Sequence, residues 1–258
     1  MEKPRRTFTL DGTEVNRVGL GTNRLTDTKA NRAFLGEAVA AGLGFIDTAH
    51  LYSGGESEAT VGAALAPFPD DLVVATKGGY RSNSTETLRA EIEESFDRLR
   101  TETFDLWYLH RVHDDAPFEA TLELVREYVD AGRIRNVGLS AVSVEQIRAA
   151  RAIVPVAAVQ NEYGLGNREH EDVVSYCASE EILFVPYYPL AGEETAALRE
   201  VASNHDASTN QIRIAWLLQR APWVVPIPGT LSVEHLRDNI AALEIELSDE
   251  ERRAIEAG

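Results

Sequence analysis

A chain of 258 residues that is 44% hydrophobic can bury a substantial core, as two small domains or as one large α/β barrel. Its 42 acidic and 25 basic residues leave a net charge of −17, which repels phosphate backbones and anionic lipid and argues against nucleic acid and membrane partners. No stretch approaches the roughly 20 consecutive apolar residues of a bilayer span. Met1 to Leu10 carry Lys3, Arg5 and Arg6 with no apolar signal core behind them, so a cytoplasmic location is expected. Cys177 is the single cysteine, which excludes an internal disulfide and a cysteine-rich zinc site. Lys3, Lys29 and Lys77 are the only lysines. Acidic excess with scarce lysine fits a salt-adapted, halophilic cytoplasm, where screening relieves self-repulsion; the plainer alternative is an acidic protein with arginine-biased codons.

In chain order, Thr7–Leu10 and Val15–Val18 flank Asp11-Gly12 and read as a hairpin, placed to cap a barrel floor. Eight short apolar runs then read as strands: Val18–Leu20, Gly44–Thr48, Leu72–Lys77, Phe104–His110, Val137–Ser140, Ala157–Asn161, Ile182–Tyr187 and Val224–Ile227. Continuous apolar runs are what a parallel sheet covered on both faces requires. Amphipathic segments separate them. Thr85–Leu99 sets Leu88, Ile92, Phe96 and Leu99 on one stripe, with Thr85 as its cap, and Ser232 opens the last major helix. Thr209–Arg220 and Asp249–Ala257 are two helices beyond strict alternation. Eight strand–helix alternations without a linker predict one domain, residues 1–258, built as a (β/α)8 TIM barrel with an N-terminal hairpin and two extra helices.

In such a barrel, chemistry gathers at the C-terminal ends of the strands. Asp47 ends the second strand, with Tyr52 in the loop after it; Lys77 ends the third, and His110 the fourth. A lysine at the end of an apolar strand is costly to bury without a carboxylate, and Asp47 lies on the neighbouring strand.

The segments Gly44–Tyr52, Ala75–Lys77 and Asp105–His110 resemble the signatures of the aldo-keto reductases. So do Val137–Ser140, Val159–Tyr163, Tyr187–Leu190 and Ile227–Thr230, in order along the whole chain, as in short bacterial or archaeal members. The resemblance implies reversible, nicotinamide-dependent reduction of an aldehyde or ketone. Tyr52 would be the general acid. Lys77 would lower its pKa, Asp47 would hold Lys77 charged, and His110 would orient the carbonyl. It implies cofactor contacts at Tyr187, Ser140 and Gln160 around the nicotinamide, and at Pro189, Leu190 and Gly192 near the pyrophosphate. Gly229, Thr230, Ser232, His235 and Asn239 would meet the adenosine phosphate at a helix start. The family usually has Asn after the serine where this chain has Ala141, and often Lys and Arg where it has Gly229 and His235. NADP(H) is favoured on the surviving hydroxyls, with NAD(H) as the alternative. Short loops predict an open substrate pocket flanked by Asn23, Leu51, Tyr80 and Arg111. Ile227–Leu236 is similar to bacterial reductases that include pyridoxal reductases, a lead to substrate. A cofactor-sensing regulatory subunit of the same fold is the second functional reading.

No metal is expected: His50, His113, Asp114 and Asp115 have no ligand spacing, and His170-Glu171 lacks a second histidine. Gly19-Leu20-Gly21 is not a dinucleotide fingerprint; it is expected to let the first strand sit close to the substrate. Cys177 is expected to be inert within a helix. No feature sets an oligomeric state.

Overall fold

The computed structural model describes residues 5–257. Strands β1 (Thr7–Leu10) and β2 (Thr13–Asn16) form the hairpin, with Asp11 at φ 48° and Gly12 at φ 85° making the primed turn that an Asp-Gly pair favours. Seven parallel strands follow in sequential order: β3 (Leu20–Gly21), β4 (Phe45–Asp47), β5 (Val73–Gly78), β6 (Leu106–Leu109), β7 (Val137–Ser140), β8 (Val156–Gln160) and β9 (Leu183–Phe184). Helices α1 (Lys29–Ala40), α2 (Glu56–Leu65), α3 (Thr85–Leu99), α4 (Phe118–Asp130), α5 (Val144–Arg151), α6 (Glu171–Ser179) and α7 (Ala196–Asn204) lie in the connections and after β9. Next come α8 (Thr209–Leu218), α9 (Val233–Ala241) and α10 (Asp249–Ala257). The cap of α3 is Ser84 rather than Thr85, its Oγ accepting from Thr87 N, and Ser232 caps α9 as expected, accepting from His235 N.

The eighth predicted strand, Val224–Ile227, closes the (β/α)8 barrel without becoming a ladder. Val225 N donates to Phe184 O on one side, while Gly19 N and Gly21 N donate to Pro226 O and Pro228 O on the other. Pro226 and Pro228 have no N–H to return, so only isolated bridges form. The first strand is likewise shifted, to Leu20–Gly21. A Cβ on Gly21 would stand 2.8 Å from Ile227 O, so this glycine admits the closing segment; the close approach is to backbone, not only to the substrate cleft it lines.

Strand parity sorts the core. Phe45, Val73, Ala75, Leu106, Tyr108, Ala158, Leu183, Val185, Val225 and Ile227 cluster inside the barrel with Phe8, Leu10 and Val15 of the hairpin. Their neighbours Ile46, Val74, Trp107, Leu109, Leu139, Val159, Phe184 and Val224 belong to the outer layer under the helices. The hairpin therefore plugs the end where the strands begin, Phe8 packing edge-on against Phe45 at 5.7 Å. Arg17, fully buried after β2, donates to the carbonyls of Leu218, Ala221 and Val224 and, at 2.7 Å, of Arg5. Burial brings its pKa down to about 10.

Candidate active site

Counting two residues along each inward row from the apolar floor reaches polar groups at the opposite mouth. Phe45 leads to Asp47, Ala75 to Lys77, Tyr108 to His110, Ala158 to Gln160 and Val185 to Tyr187. The parallel ladder runs past the formal strand ends: Thr48 N donates to Ala75 O, His50 N to Lys77 O and His110 N to Gly78 O. These side chains thus stand on hydrogen-bonded backbone rather than on free loop. Tyr52 follows β4, and Ser53, Gly54 and Gly55 with φ of 50°, 65° and 95° turn the chain sharply from it into α2.

Lys77 is 0% exposed and Asp47 1%. The ammonium has three N–H donors and three acceptors: Asp47 Oδ2 at 2.6 Å, Thr48 O at 2.8 Å and Tyr52 OH at 3.0 Å. The other Asp47 oxygen accepts from Gln160 Nε2 at 2.8 Å. His110 stands edge-on to Tyr52, ring centres 5.9 Å apart, and to Tyr80 at 4.8 Å.

Burial works against the Lys77 ammonium, but Asp47 and Tyr52 outweigh it, and its pKa lies above the ordinary lysine value. Tyr52 departs from the sequence expectation. Burial is the larger influence and raises the phenol above its usual value, while Lys77 pulls the other way and Asp47 adds to the rise. The group is a neutral phenol at physiological pH. Burial, with Lys77 and Arg111 adding repulsion, drives His110 down to about 2, so its imidazole is neutral as well. His110 Nδ1 is enclosed without a hydrogen-bond partner among the described residues.

Asp47, Tyr52 and His110 line a cleft of about 580 Å³ together with all four expected pocket residues, Asn23, Leu51, Tyr80 and Arg111. Of the expected cofactor residues, Ser140, Gln160, Tyr187, Pro189, Leu190 and Gly229 line it too. Thr230 and His235 line an adjoining cavity of about 310 Å³ that shares Asn23, Arg24 and Gly229 with the cleft. Three expected residues line neither cavity. Gly192 packs against Gly166, and Ala191 takes its place on the wall. Ser232 uses its hydroxyl to cap α9, and Asn239 is buried on that helix. Sequence reading missed Thr22, Arg24 and Tyr188 as lining residues. Thr22 and Arg24 follow β3 directly, so the strand-end rule could have found them; Tyr188 is held at φ 51°, which no sequence signal announces.

Ser140 Oγ and Gln160 Oε1 make no hydrogen bond among the described residues, although both side chains lie on the cleft floor. A free hydroxyl beside a free amide oxygen matches the acceptor and donor of a carboxamide, and the adjacent aromatic face of Tyr187 suits a flat ring. The residues present therefore fit a nicotinamide. Ala141 follows at φ 54°, a left-handed conformation that Asn tolerates better than Ala, while Asn161 holds Val142 N and O. Ala141→Asn is expected to raise the melting temperature slightly and tighten cofactor binding, read by thermal unfolding and fluorescence titration; a lower melting temperature would contradict the strain argument.

Among the described residues no group of three His, Cys, Asp or Glu could hold a metal ion. His50 is placed between Glu94 at 2.9 Å and Glu91 at 3.8 Å, and His113 bonds Tyr80 O. Cys177 is buried on α6, where burial pushes its thiol up to about 12. No described helix is long and apolar enough to cross a membrane.

The aldo/keto reductase family model matches residues 15–194 and 193–257. An uncharacterized oxidoreductase of Schizosaccharomyces pombe is 38% identical over 92% of this chain and 84% of its own length. Pyridoxine 4-dehydrogenase of Escherichia coli is 33% identical over 95% of both chains. Among solved structures, an aldo-keto reductase from Klebsiella pneumoniae in complex with NADPH superposes with a TM-score of 0.89 at 29% identity, over 98% of this chain and 94% of that one. A thermostable aldo-keto reductase bound to the inhibitor epalrestat reaches 0.90 at 32% identity, over 97% and 98%. The chain belongs to the aldo/keto reductase family.

Proposed function

We propose that this protein reduces an aldehyde or ketone to the alcohol, reversibly, with NADPH as the favoured cofactor and Tyr52 as the proton donor. One observation carries the assignment. Lysine only donates, so in the 3.0 Å contact the Tyr52 oxygen is the acceptor. The phenol's own hydrogen is then left for the cleft, where Tyr52 is a wall residue.

Tyr187 would hold the nicotinamide by stacking, Ser140 and Gln160 would grip its carboxamide, and Thr230 and His235 in the adjoining cavity would meet the adenosine phosphate. A reduced nicotinamide bound there supplies hydride to the carbonyl carbon. As negative charge develops on the carbonyl oxygen, Tyr52 gives it a proton, and the phenolate left behind faces an ammonium already at hydrogen-bond distance. Asp47 and Thr48 O fix that ammonium, and Gln160 fixes Asp47, so the donor needs no reorganisation. Burying Nδ1 as a bare acceptor is cheaper than burying it as an unpaired N–H, so His110 carries its proton on Nε2 and donates to the same oxygen.

Oxidation of NADPH and NADH by para-nitrobenzaldehyde and pyridoxal tests the reading. Pyridoxal is included because of the pyridoxine 4-dehydrogenase relative and the Ile227–Leu236 pattern. Steady turnover with NADPH is expected; cofactor binding without turnover would favour the regulatory alternative. In the reduction direction kcat/KM is expected to stay flat from about pH 6 to about pH 9 and to fall only as Tyr52 ionises at higher pH. A limb near the ordinary imidazole value of about 6.5 would make His110 the donor instead.

The setting we infer is a salt-adapted cytoplasm, supported by the charge of −17 and the scarcity of lysine. Molar potassium chloride should then raise the melting temperature by screening like charges; a fall would reject the halophilic reading.

A further inference from the structure

The cleft has the opposite charge from the chain. Among the described residues Asp47 is the only acidic side chain that lines it, and Asp47 is neutralised by Lys77 at 2.6 Å. Two guanidinium groups line it, Arg24 and Arg111, and among the described residues neither makes an ion pair or a side-chain hydrogen bond. Arg24 lies where the cleft joins the second cavity, on the side assigned above to the cofactor's phosphate end. Arg111 lines only the main cleft, directly after His110. Its Cζ lies 5.7 Å from the ring centre of Tyr80 and 5.9 Å from that of Tyr187, and the Tyr80 ring is itself against His110 at 4.8 Å.

Two aromatic rings steady this guanidinium without satisfying its donors, so its planar fork remains free beside the reacting oxygen's site. In a protein this acidic, carboxylates for pairing are abundant, and their absence here leaves a cation that only an incoming group can neutralise. A cleft lined by one sign also concentrates ligands of the other.

We propose that Arg111 is a specificity-determining residue that binds an anionic group, carboxylate or phosphate, carried by the carbonyl substrate away from its reacting carbon. The inference rests on the reductase reading, and it narrows the substrate class from carbonyl compounds in general to acidic ones.

The test compares kcat/KM for para-carboxybenzaldehyde with that for its methyl ester, and for pyridoxal phosphate with that for pyridoxal. Wild type, Arg111→Met and Arg111→Lys are measured with NADPH. The wild-type enzyme is expected to prefer the anionic member of at least one pair. Arg111→Met should lower that preference by about 10- to 100-fold, the worth of a charge-assisted hydrogen bond, and Arg111→Lys should restore part of it. The pair that responds tells carboxylate from phosphate. Wild-type turnover of the neutral aldehydes with no anionic preference overturns the proposal and leaves the reductase reading standing. A preference that survives Arg111→Met overturns the role of Arg111. Absence of turnover with all four compounds overturns both readings.

Discussion

Tyr52→Phe is expected to lower kcat for carbonyl reduction by about 10²- to 10⁴-fold, the usual contribution of a positioned general acid, with the dissociation constant for NADPH changed less than about twofold. The substitution deletes one oxygen, the wall atom that both accepts from the buried ammonium of Lys77 and carries the phenol's proton. Other polar groups do not replace it. His110 is neutral, its pKa held near about 2, and yields a hydrogen bond more readily than a proton. Tyr108 is enclosed within the barrel and does not line the cleft. Stopped-flow measurement of a single turnover separates the chemical step from product release. Single-turnover rates equal to wild type would remove Tyr52 from the reaction.

Asp47→Ala is expected to cost about 3–5 kcal/mol of stability, because it leaves a fully buried ammonium without its counter-charge. For a chain of this size that lowers the melting temperature by roughly 10 °C. Gln160 also loses the acceptor of its Nε2, which loosens a cleft-floor side chain at the same time. Asp47→Asn should cost less in stability, since an amide oxygen still accepts from Lys77. Both variants should lose activity, as Lys77 no longer remains reliably charged beside Tyr52. Thermal unfolding of both proteins checks the order; an Asp47→Ala melting point equal to wild type would mean that Lys77 is neutral in the native protein.

The four side chains Asp47, Tyr52, Lys77 and His110 could be picked out of the sequence because each breaks an apolar strand or follows its end, and strand ends are where a barrel collects polar groups. The structure brings Lys77 to Asp47 and Tyr52, the contact on which the sequence argument depended. The sign of the Tyr52 shift was not legible. An ammonium beside a phenol is visible as a motif, whereas the depth of burial that opposes it exists only after folding. Strand eight was readable as an apolar run, but its two prolines deny it a ladder. Gly192, Ser232 and Asn239 were carried over from a family pattern; in the structure they make a glycine contact, a helix cap and a buried position on α9, and line neither cavity.

Barrel closure has a further consequence for how this protein meets its ligands. The join between the first and last strands has its hydrogen bonds donated from one side only, with Arg17 clasping the far end from beneath. Gly21 and Asn23 on one side of that join, and Ile227, Pro228 and Gly229 on the other, form one continuous wall of the cleft. A molecule lying along this wall touches both lips of the seam and acts as a rivet, so occupancy and the integrity of the cylinder are thermodynamically linked.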